Sequence, residues 1–333
     1  MEKSTVLVTG SSGLVGSAVV RRLVRAGYSV RALVRPTSDI RNIRGLGIET
    51  VTGDLTEPAS IKKAARDCRY VFHVAADYRL WVPDPEPMYR ANVEGTGNVM
   101  SAALENGVER IVYTSSVAVL KTTSDGTAVD ENGEATLDDM IGHYKRSKFL
   151  AEELVKKMIS EEGLPAVIVN PSTPVGPGDV KPTPTGRVIV DAASGKIPAY
   201  VNTGLNVVHV DDVAEGHVQA LERGRIGERY ILGAENLTLR EMLAEIAGIA
   251  GRKPPRIRLP HNVLYPVARI SEKLAEMRGG PEPRVTMDGV RMSRKTMFFS
   301  SRKAEDELGY RPRPSREALR DALNWFRKHG YIR

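Results

Sequence analysis

One cysteine, Cys68, stands in a chain of 333 residues, which excludes an intrachain disulfide and predicts a reducing compartment. It follows a helical pattern and precedes the apolar run Tyr70–Val74, so it reads as a small packing residue. No stretch approaches the roughly 18 consecutive apolar residues of a membrane-spanning helix. Met1-Glu2-Lys3-Ser4 leads straight into a strand pattern rather than a signal peptide, and the expectation is a cytoplasmic protein. Aromatics are scarce, with two Trp and five Phe. The net charge of +7 therefore lacks the aromatic interleaving of a base-stacking surface, and no nucleic-acid partner is expected. Its cations gather at Arg21, Arg22, Arg25 and Arg31, and again at Arg291, Arg294, Lys295, Arg302 and Lys303. Attraction to an anionic cofactor, an anionic substrate or a membrane surface accounts for them equally well. No metal-ligand cluster, internal repeat or low-complexity tract is read. Hydrophobic content of 41% and charged content of 27% suit one large or two modest globular domains.

What is present is an alternation of short apolar strands and helices. Thr5–Thr9 has no polar alternation, as a strand buried on both faces should, and runs into Gly10-Ser11-Ser12-Gly13-Leu14-Val15-Gly16 and a helix over Ser17–Arg25. Strand, glycine turn, helix is the context in which glycines let the backbone approach a pyrophosphate and a helix N-terminus offers its N–H groups. Thr9, Gly10, Gly13 and Gly16 are thus candidate cofactor residues. The next strand, Tyr28–Val34, ends at Arg35, where a dinucleotide fold uses an acid for ribose hydroxyls and a base for a 2′-phosphate. Arg35 favours NADP(H) over NAD(H), unless it is a solvated loop arginine. Asp54 is a candidate for the adenine amino group, and Ala75 and Ala76, after the strand Tyr70–Val74, leave room for a cofactor.

Met88–Glu105 reads as one long helix carrying Asn92, and Arg110–Tyr113 as a strand delivering Ser115 and Ser116. Ala166–Val169 is a further strand. Pro171 to Gly186 reads as irregular, with five prolines, and is followed by a helix at Arg187–Ala193, a strand at Val207–Val210 and a helix at Asp211–Leu221. Thr238-Leu239-Arg240-Glu241 is a capping box opening a helix that stops at Gly251. Asn262–Met277 is helical with a bend at Pro266, Arg284–Ser301 is mixed and basic, and helices are expected near Arg302–Leu308 and Arg316–His329. The expected class is α/β: a Rossmann-type doubly wound parallel sheet with a smaller C-terminal substrate-binding domain. The boundaries are 1–175, with 205–235 returning to it, and 176–204 with 236–333.

The chemistry concentrates at Tyr144 and Lys148, four apart on a helix over Tyr144–Lys157 and therefore on one face. An ammonium beside a phenol would lower the tyrosine pKa toward working pH, and a nearby serine hydroxyl would hold an oxygen that gains or loses charge. Tyr78, Trp81, Tyr200 and Met292 are candidate lining residues of a substrate pocket, or plain core.

Thr9–Gly16, Gly53-Asp54-Leu55, Asn92-Val93-Glu94-Gly95-Thr96, Tyr113–Ser116, Tyr144-x-x-x-Lys148 and His209-Val210-Asp211-Asp212-Val213-Ala214 together resemble the extended short-chain dehydrogenase/reductase family. His73–Trp81 and Asn170–Pro177 look like its hopanoid-associated sugar epimerase branch, which is similar to plant dihydroflavonol reductases. The resemblance implies Tyr144 as acid–base, Lys148 as nicotinamide-ribose ligand, Ser116 rather than Ser115 on the reacting oxygen, and Asn92 as a further catalytic residue or a packing and capping one. It extends the cofactor set to Leu14, Val15, Leu55, Pro171 and Thr173. It also implies a homodimer, and a peripheral contact between the basic late segment and anionic lipid.

Three activities remain open at this point. An epimerase would oxidise and re-reduce a sugar carbon on a bound NAD. A reductase would consume NADPH, as Arg35 favours. A silent cofactor-binding scaffold would keep the fold without turnover. Sugar-nucleotide members carry an arginine before the His-Val strand; here Thr203-Gly204-Leu205-Asn206 has none, and Lys181 or Arg187 would have to supply the cation.

Overall fold

Val6 and Val8 of the first strand enter one hydrophobic core and Leu7 enters another, so the sheet that holds them is covered on both faces. The computed structural model describes residues 4–123, 125–278, 283 and 285–332. Met1-Glu2-Lys3 and Arg284, the first residue of the expected basic late stretch, lie outside them.

The main sheet has seven parallel strands: β1 (Thr5–Thr9), β2 (Ser29–Val34), β3 (Glu49–Thr52), β4 (Tyr70–His73), β5 (Arg110–Thr114), β6 (Ala166–Pro171) and, after three further strands of the chain, Arg229–Leu232. Their spatial order runs from Arg229–Leu232 through β6, β5, β4 and β1 to β2 and β3. The order reverses between β1 and β4, which is where a doubly wound sheet opens its ligand crevice. Helix α1 (Leu14–Arg25) packs its Ala18, Val19, Val20 and Leu23 on one face. Helices α2 (Pro58–Ala65), α3 (Glu86–Tyr89), α4 (Gly95–Glu105) and α5 (Gly142–Glu162) follow in the chain, and α2, α4 and α5 cover the other face.

The remaining elements are β7 (Thr173–Val175), α6 (Pro184–Ala193), β8 (Ala199–Tyr200), β9 (Gly204–His209), α7 (Val210–Arg223), β10 (the Arg229–Leu232 strand), β11 (Glu235–Thr238), α8 (Leu239–Ala250), β12 (Ile257–Arg258), α9 (Leu264–Arg278), α10 (Met287–Ser293), β13 (Thr296–Met297), α11 (Arg302–Leu308) and α12 (Ser315–Lys328). Helices α7 and α11 join α1 on its face of the main sheet. Strand β9 is the centre of a small mixed sheet with β7, β11 and β13. Helices α6, α8 and α12 bury Ile189, Met242, Ile246, Leu319, Leu323 and Phe326 against it. Helix α8 begins on the expected capping box of Thr238 and Glu241 and stops at Gly251, whose φ of +69° is left-handed.

Three expectations need correction. Met88–Glu105 is not one helix: a π-helical turn over Arg90–Glu94 separates α3 from α4, and Asn92 sits in that turn. The proline-rich stretch is not all irregular, because β6 runs on to Pro171 and β7 carries Pro174. Strand β7 pairs with β9 alone, and a residue without an N–H is tolerated at a sheet edge. Pro266 falls in the first turn of α9, where a missing N–H breaks no intrahelical bond, so no bend is required.

Candidate active site

The glycine turn after β1 is shaped by contact as well as by φ. Gly10 is left-handed at φ +68°, and a Cβ there would lie 2.6 Å from the Ala75 backbone. A Cβ at Gly16 would lie 2.0 Å from the Gly10 carbonyl oxygen. Both positions therefore accept only hydrogen. Gly13 is the N-cap of α1 and provides no side-chain cap, so the first-turn N–H groups at Leu14, Val15 and Gly16 are left to an external acceptor at the positive end of the helix. Ala75 donates its N–H to Thr9 Oγ1 at 3.2 Å, which ties the end of β4 to the end of β1. Ala76 is exposed beyond it. Arg35 is exposed at the end of β2, and its charge reaches Asp54, whose carboxyl is held below the usual range mainly by the Thr56 N–H. The Leu55 carbonyl is fixed by Asn98 Nδ2 at 2.8 Å. At the neighbouring strand ends Pro171 is buried and Thr173 half-buried. Between and behind them Ser172 Oγ and Asn170 Oδ1 are buried with no hydrogen-bond partner among the described residues. A hydrogen-only cradle, an uncapped helix start and orphaned polar atoms along one sheet edge fit an anionic, hydrogen-bonding dinucleotide.

Beside this cradle stand Ser116, Tyr144 and Lys148. Ser116 follows β5 and accepts the Ala118 N–H on Oγ at 3.1 Å, capping a short turn over Val117–Val119. Tyr144 lies in the first turn of α5. That helix starts at Gly142 with φ +81°, where a Cβ would come within 3.0 Å of Asp288 Oδ2. The Tyr144 phenol is pushed up to about 12 by burial, against a hydrogen bond from Ser116 that favours the phenolate. Lys148 is 2% exposed; its Nζ donates to the Thr114 carbonyl at 2.9 Å and to Tyr113 Oη at 3.2 Å, and sits 4.8 Å from the Tyr113 ring centroid. Burial draws its ammonium down to about 8, and the Glu152 carboxylate opposes that. The expected lowering of the Tyr144 pKa by Lys148 is thus not what this geometry gives: the ammonium is committed to β5, and burial governs the phenol. The Tyr78 ring lies 4.6 Å from that of Tyr144, tilted 52°.

Asn92, expected as a catalytic or as a packing and capping residue, has its amide engaged as a strut. Its Oδ1 accepts the Asp77 N–H at 2.7 Å, and its Nδ2 donates to the Asp77 carbonyl at 3.1 Å and to Ser147 Oγ at 3.0 Å. Every donor and one acceptor of the amide is used to pin the segment carrying Tyr78 to the helix carrying Tyr144. A second strut was not foreseen. Glu152, 1% exposed and one helical repeat beyond Lys148, accepts Asn170 Nδ2 at 3.0 Å and Arg229 Nη1 at 3.1 Å. The same Asn170 Nδ2 donates to the Ser116 carbonyl at 3.0 Å. The continued spacing Tyr144, Lys148, Glu152 was the available signal. His73 was also missed as a polar centre: it is fully buried, drawn down to about 3 by desolvation, and bonded to Thr9 Oγ1 at 2.7 Å and Thr96 Oγ1 at 3.0 Å.

The candidate substrate residues do not converge. Tyr78 meets Tyr144, and half-buried Trp81 follows on the same segment. Lys181 is exposed near Asp39, and Arg187 lies near Asp179, whose carboxyl burial pushes up to about 6. Tyr200 lines a separate cleft of about 350 Å³ with Thr203, Thr238, Arg240 and Arg258. Met292 is half-buried in α10.

With this fold and site, residues 6–233 match the NAD dependent epimerase/dehydratase family, and the chain belongs to it. The crystal structure of gox2253 is 57% identical, with a TM-score of 0.90 over 99% of this chain and 100% of that one. A Synechocystis sp. protein provisionally named dihydroflavonol 4-reductase is 44% identical over 98% of this chain and 95% of its own length. Sterol demethylase protein B of Methylococcus capsulatus is 33% identical over 98% of this chain and 100% of its own. The protein is accordingly an NAD(P)-dependent enzyme of the oxidoreductase/epimerase type.

Proposed function

We propose that the protein is an NADPH-dependent carbonyl reductase, making net use of its cofactor rather than running a redox-neutral epimerisation. The observation that carries this reading is Tyr144. Burial keeps its phenol protonated, so it meets a carbonyl oxygen beside Ser116 with a proton to give as that oxygen gains charge. The reductase name of the Synechocystis relative supports it. So does the exposed Arg35 at the strand end where a 2′-phosphate would lie.

The bound nicotinamide would supply the hydride. The chain supplies the rest. Ser116 Oγ accepts from Ala118 and its O–H favours the Tyr144 phenolate, so a substrate oxygen seated between the two hydroxyls would draw that O–H from the phenol to itself. Lys148 spends two N–H groups on β5 and has a third for a cofactor ribose. The Tyr78 ring packs against that of Tyr144 and would help to hold it in place.

The test is mass spectrometry of the nucleotide released on denaturing freshly purified protein, followed by NADPH oxidation with a panel of ketones and aldehydes. The expected result is no stoichiometric NAD⁺, tighter binding of NADPH than NADH, and net NADPH consumption. Stoichiometric retained NAD⁺ with no net oxidation would return the site to the epimerase reading.

A further inference from the structure

Helix α9 carries its apolar residues on the wrong side. Val263, in the turn that leads into the helix, and Val267, Ile270, Leu274 and Met277 are spaced four, three, four and three apart, and at about 100° per residue they form one continuous stripe. They are between 42% and 74% exposed. The buried face is a different one, centred on Ala268 with Leu264 and Ala275 beside it. Soluble monomers rarely leave such a stripe uncovered.

We infer that this face lies on an anionic lipid surface. Charge decides the occupant. Between Gly251 and His261, immediately before the helix, stand Arg252, Lys253, Arg256 and Arg258, all exposed, with no acid among them; Ile257, 60% exposed, lies in their midst. Lys273 borders the stripe itself and Arg269 lies further round. A second copy of the chain would offer these cations one exposed acid on α9, Glu276, because Glu272 is turned inward to accept the Met287 N–H at 2.7 Å. An anionic headgroup layer answers all of them while the stripe enters the acyl boundary, and long cationic side chains reach back to the headgroups. No helix among the described residues is long and apolar enough to cross a membrane, so the contact is with the surface. The helix is also joined to the catalytic one. His261 Nε2 bonds the Ser293 carbonyl at 2.9 Å, Glu272 holds the start of α10, and Asp288 of α10 abuts Gly142, two residues before Tyr144. Docking α9 would therefore hold the start of the catalytic helix beside the lipid surface.

The experiment is co-sedimentation of the full chain with vesicles of phosphatidylglycerol and phosphatidylcholine, and with phosphatidylcholine alone, at low and high salt. Binding should be at least about tenfold stronger to the anionic vesicles and should weaken with salt. The double variant Ile270→Glu/Met277→Glu should lose at least about tenfold, and Lys253→Glu/Arg256→Glu should lose the preference for anionic lipid. All these side chains are exposed, so both variants should keep the wild-type melting temperature. Equal binding to both vesicles, binding that survives in the stripe variant, or no binding would overturn the inference. So would a wild-type dimer that Ile270→Glu converts to monomer, which would make the stripe a subunit interface. None of these readouts uses turnover, so failure here leaves the reductase reading untouched.

Discussion

Helices α5 and α9 break the same rule in opposite directions. An ordinary surface helix turns apolar residues inward and charges outward. Helix α5 buries Lys148 and Glu152, whereas α9 exposes Ile270 and Met277. The inward charges of α5 have their partners within the fold: Tyr113, Thr114, Asn170 and Arg229. The outward apolar groups of α9 stay largely in the open, Ile270 at 63% and Met277 at 74% exposed. A buried charge with a complete set of partners marks internal chemistry, and an apolar stripe without cover marks a contact still to be made.

The comparison can be broken at several points. The largest effect is expected at Tyr144. Tyr144→Phe should cut turnover by about 10²–10⁴-fold while NADPH affinity, read by fluorescence titration, stays within about twofold. Lost affinity alone would remove the acid–base role. Glu152→Gln comes next, since it strips one partner from a buried ion pair, at a cost of about 3 kcal/mol in denaturant unfolding. It also gives a pH signature. The Lys148 ammonium titrates near 8 in the folded chain because burial outweighs the support of Glu152. Without that carboxylate the basic limb of the rate profile should move to lower pH, and an unmoved limb would limit Glu152 to packing. The linked stability has a definite sign. Between about 8 and the 10.5 of the unfolded chain the unfolded state binds the extra proton, so stability rises with pH across that window.

Asn92→Ala is third. It leaves the Asp77 N–H and carbonyl without their partner, at about 1–3 kcal/mol, and frees the segment holding Tyr78. Turnover should fall more than KM rises, and an unchanged kcat would show that the Tyr78–Tyr144 contact is dispensable. The smallest effect belongs to α9. Ile270→Ser should change unfolding stability by no more than about 0.5 kcal/mol and leave turnover of a water-soluble ketone as it was. A larger loss would mean that the stripe is packed against something.

Most of the sheet was legible because strands buried on both faces read as plain apolar runs, and helix stops such as Gly251 carry their own signal. The bounds of α11 match the expected Arg302–Leu308 because a short amphipathic segment between polar turns leaves little choice. The π-helical turn at Asn92 was not legible, since one extra residue per turn barely disturbs apolar spacing. The small sheet around β9 was missed for another reason: two- to four-residue strands are defined by partners distant in the chain, not by local pattern. At the site, residue types and spacing pointed to Ser116, Tyr144 and Lys148. Which way the Lys148 ammonium points depends on Thr114 and Tyr113, from a strand more than 30 residues earlier. The outward face of α9 was hidden because the helix is apolar on two sides, and sequence alone does not say which one the core takes.

The bonds around His73 all run in one sense. The hydroxyl of Thr96 is committed to the Asn92 carbonyl at 2.6 Å, so Thr96 can only accept from His73 Nε2–H, and His73 Nδ1 must in turn accept from Thr9, which accepts from Ala75. The result is a row of aligned dipoles from the end of β4 to the π-helical turn, each strengthening the next. No member can reverse alone, because one flipped hydroxyl would set two donors or two acceptors face to face. The row is thus a polarity lock, fixing a single tautomer at the centre of the fold.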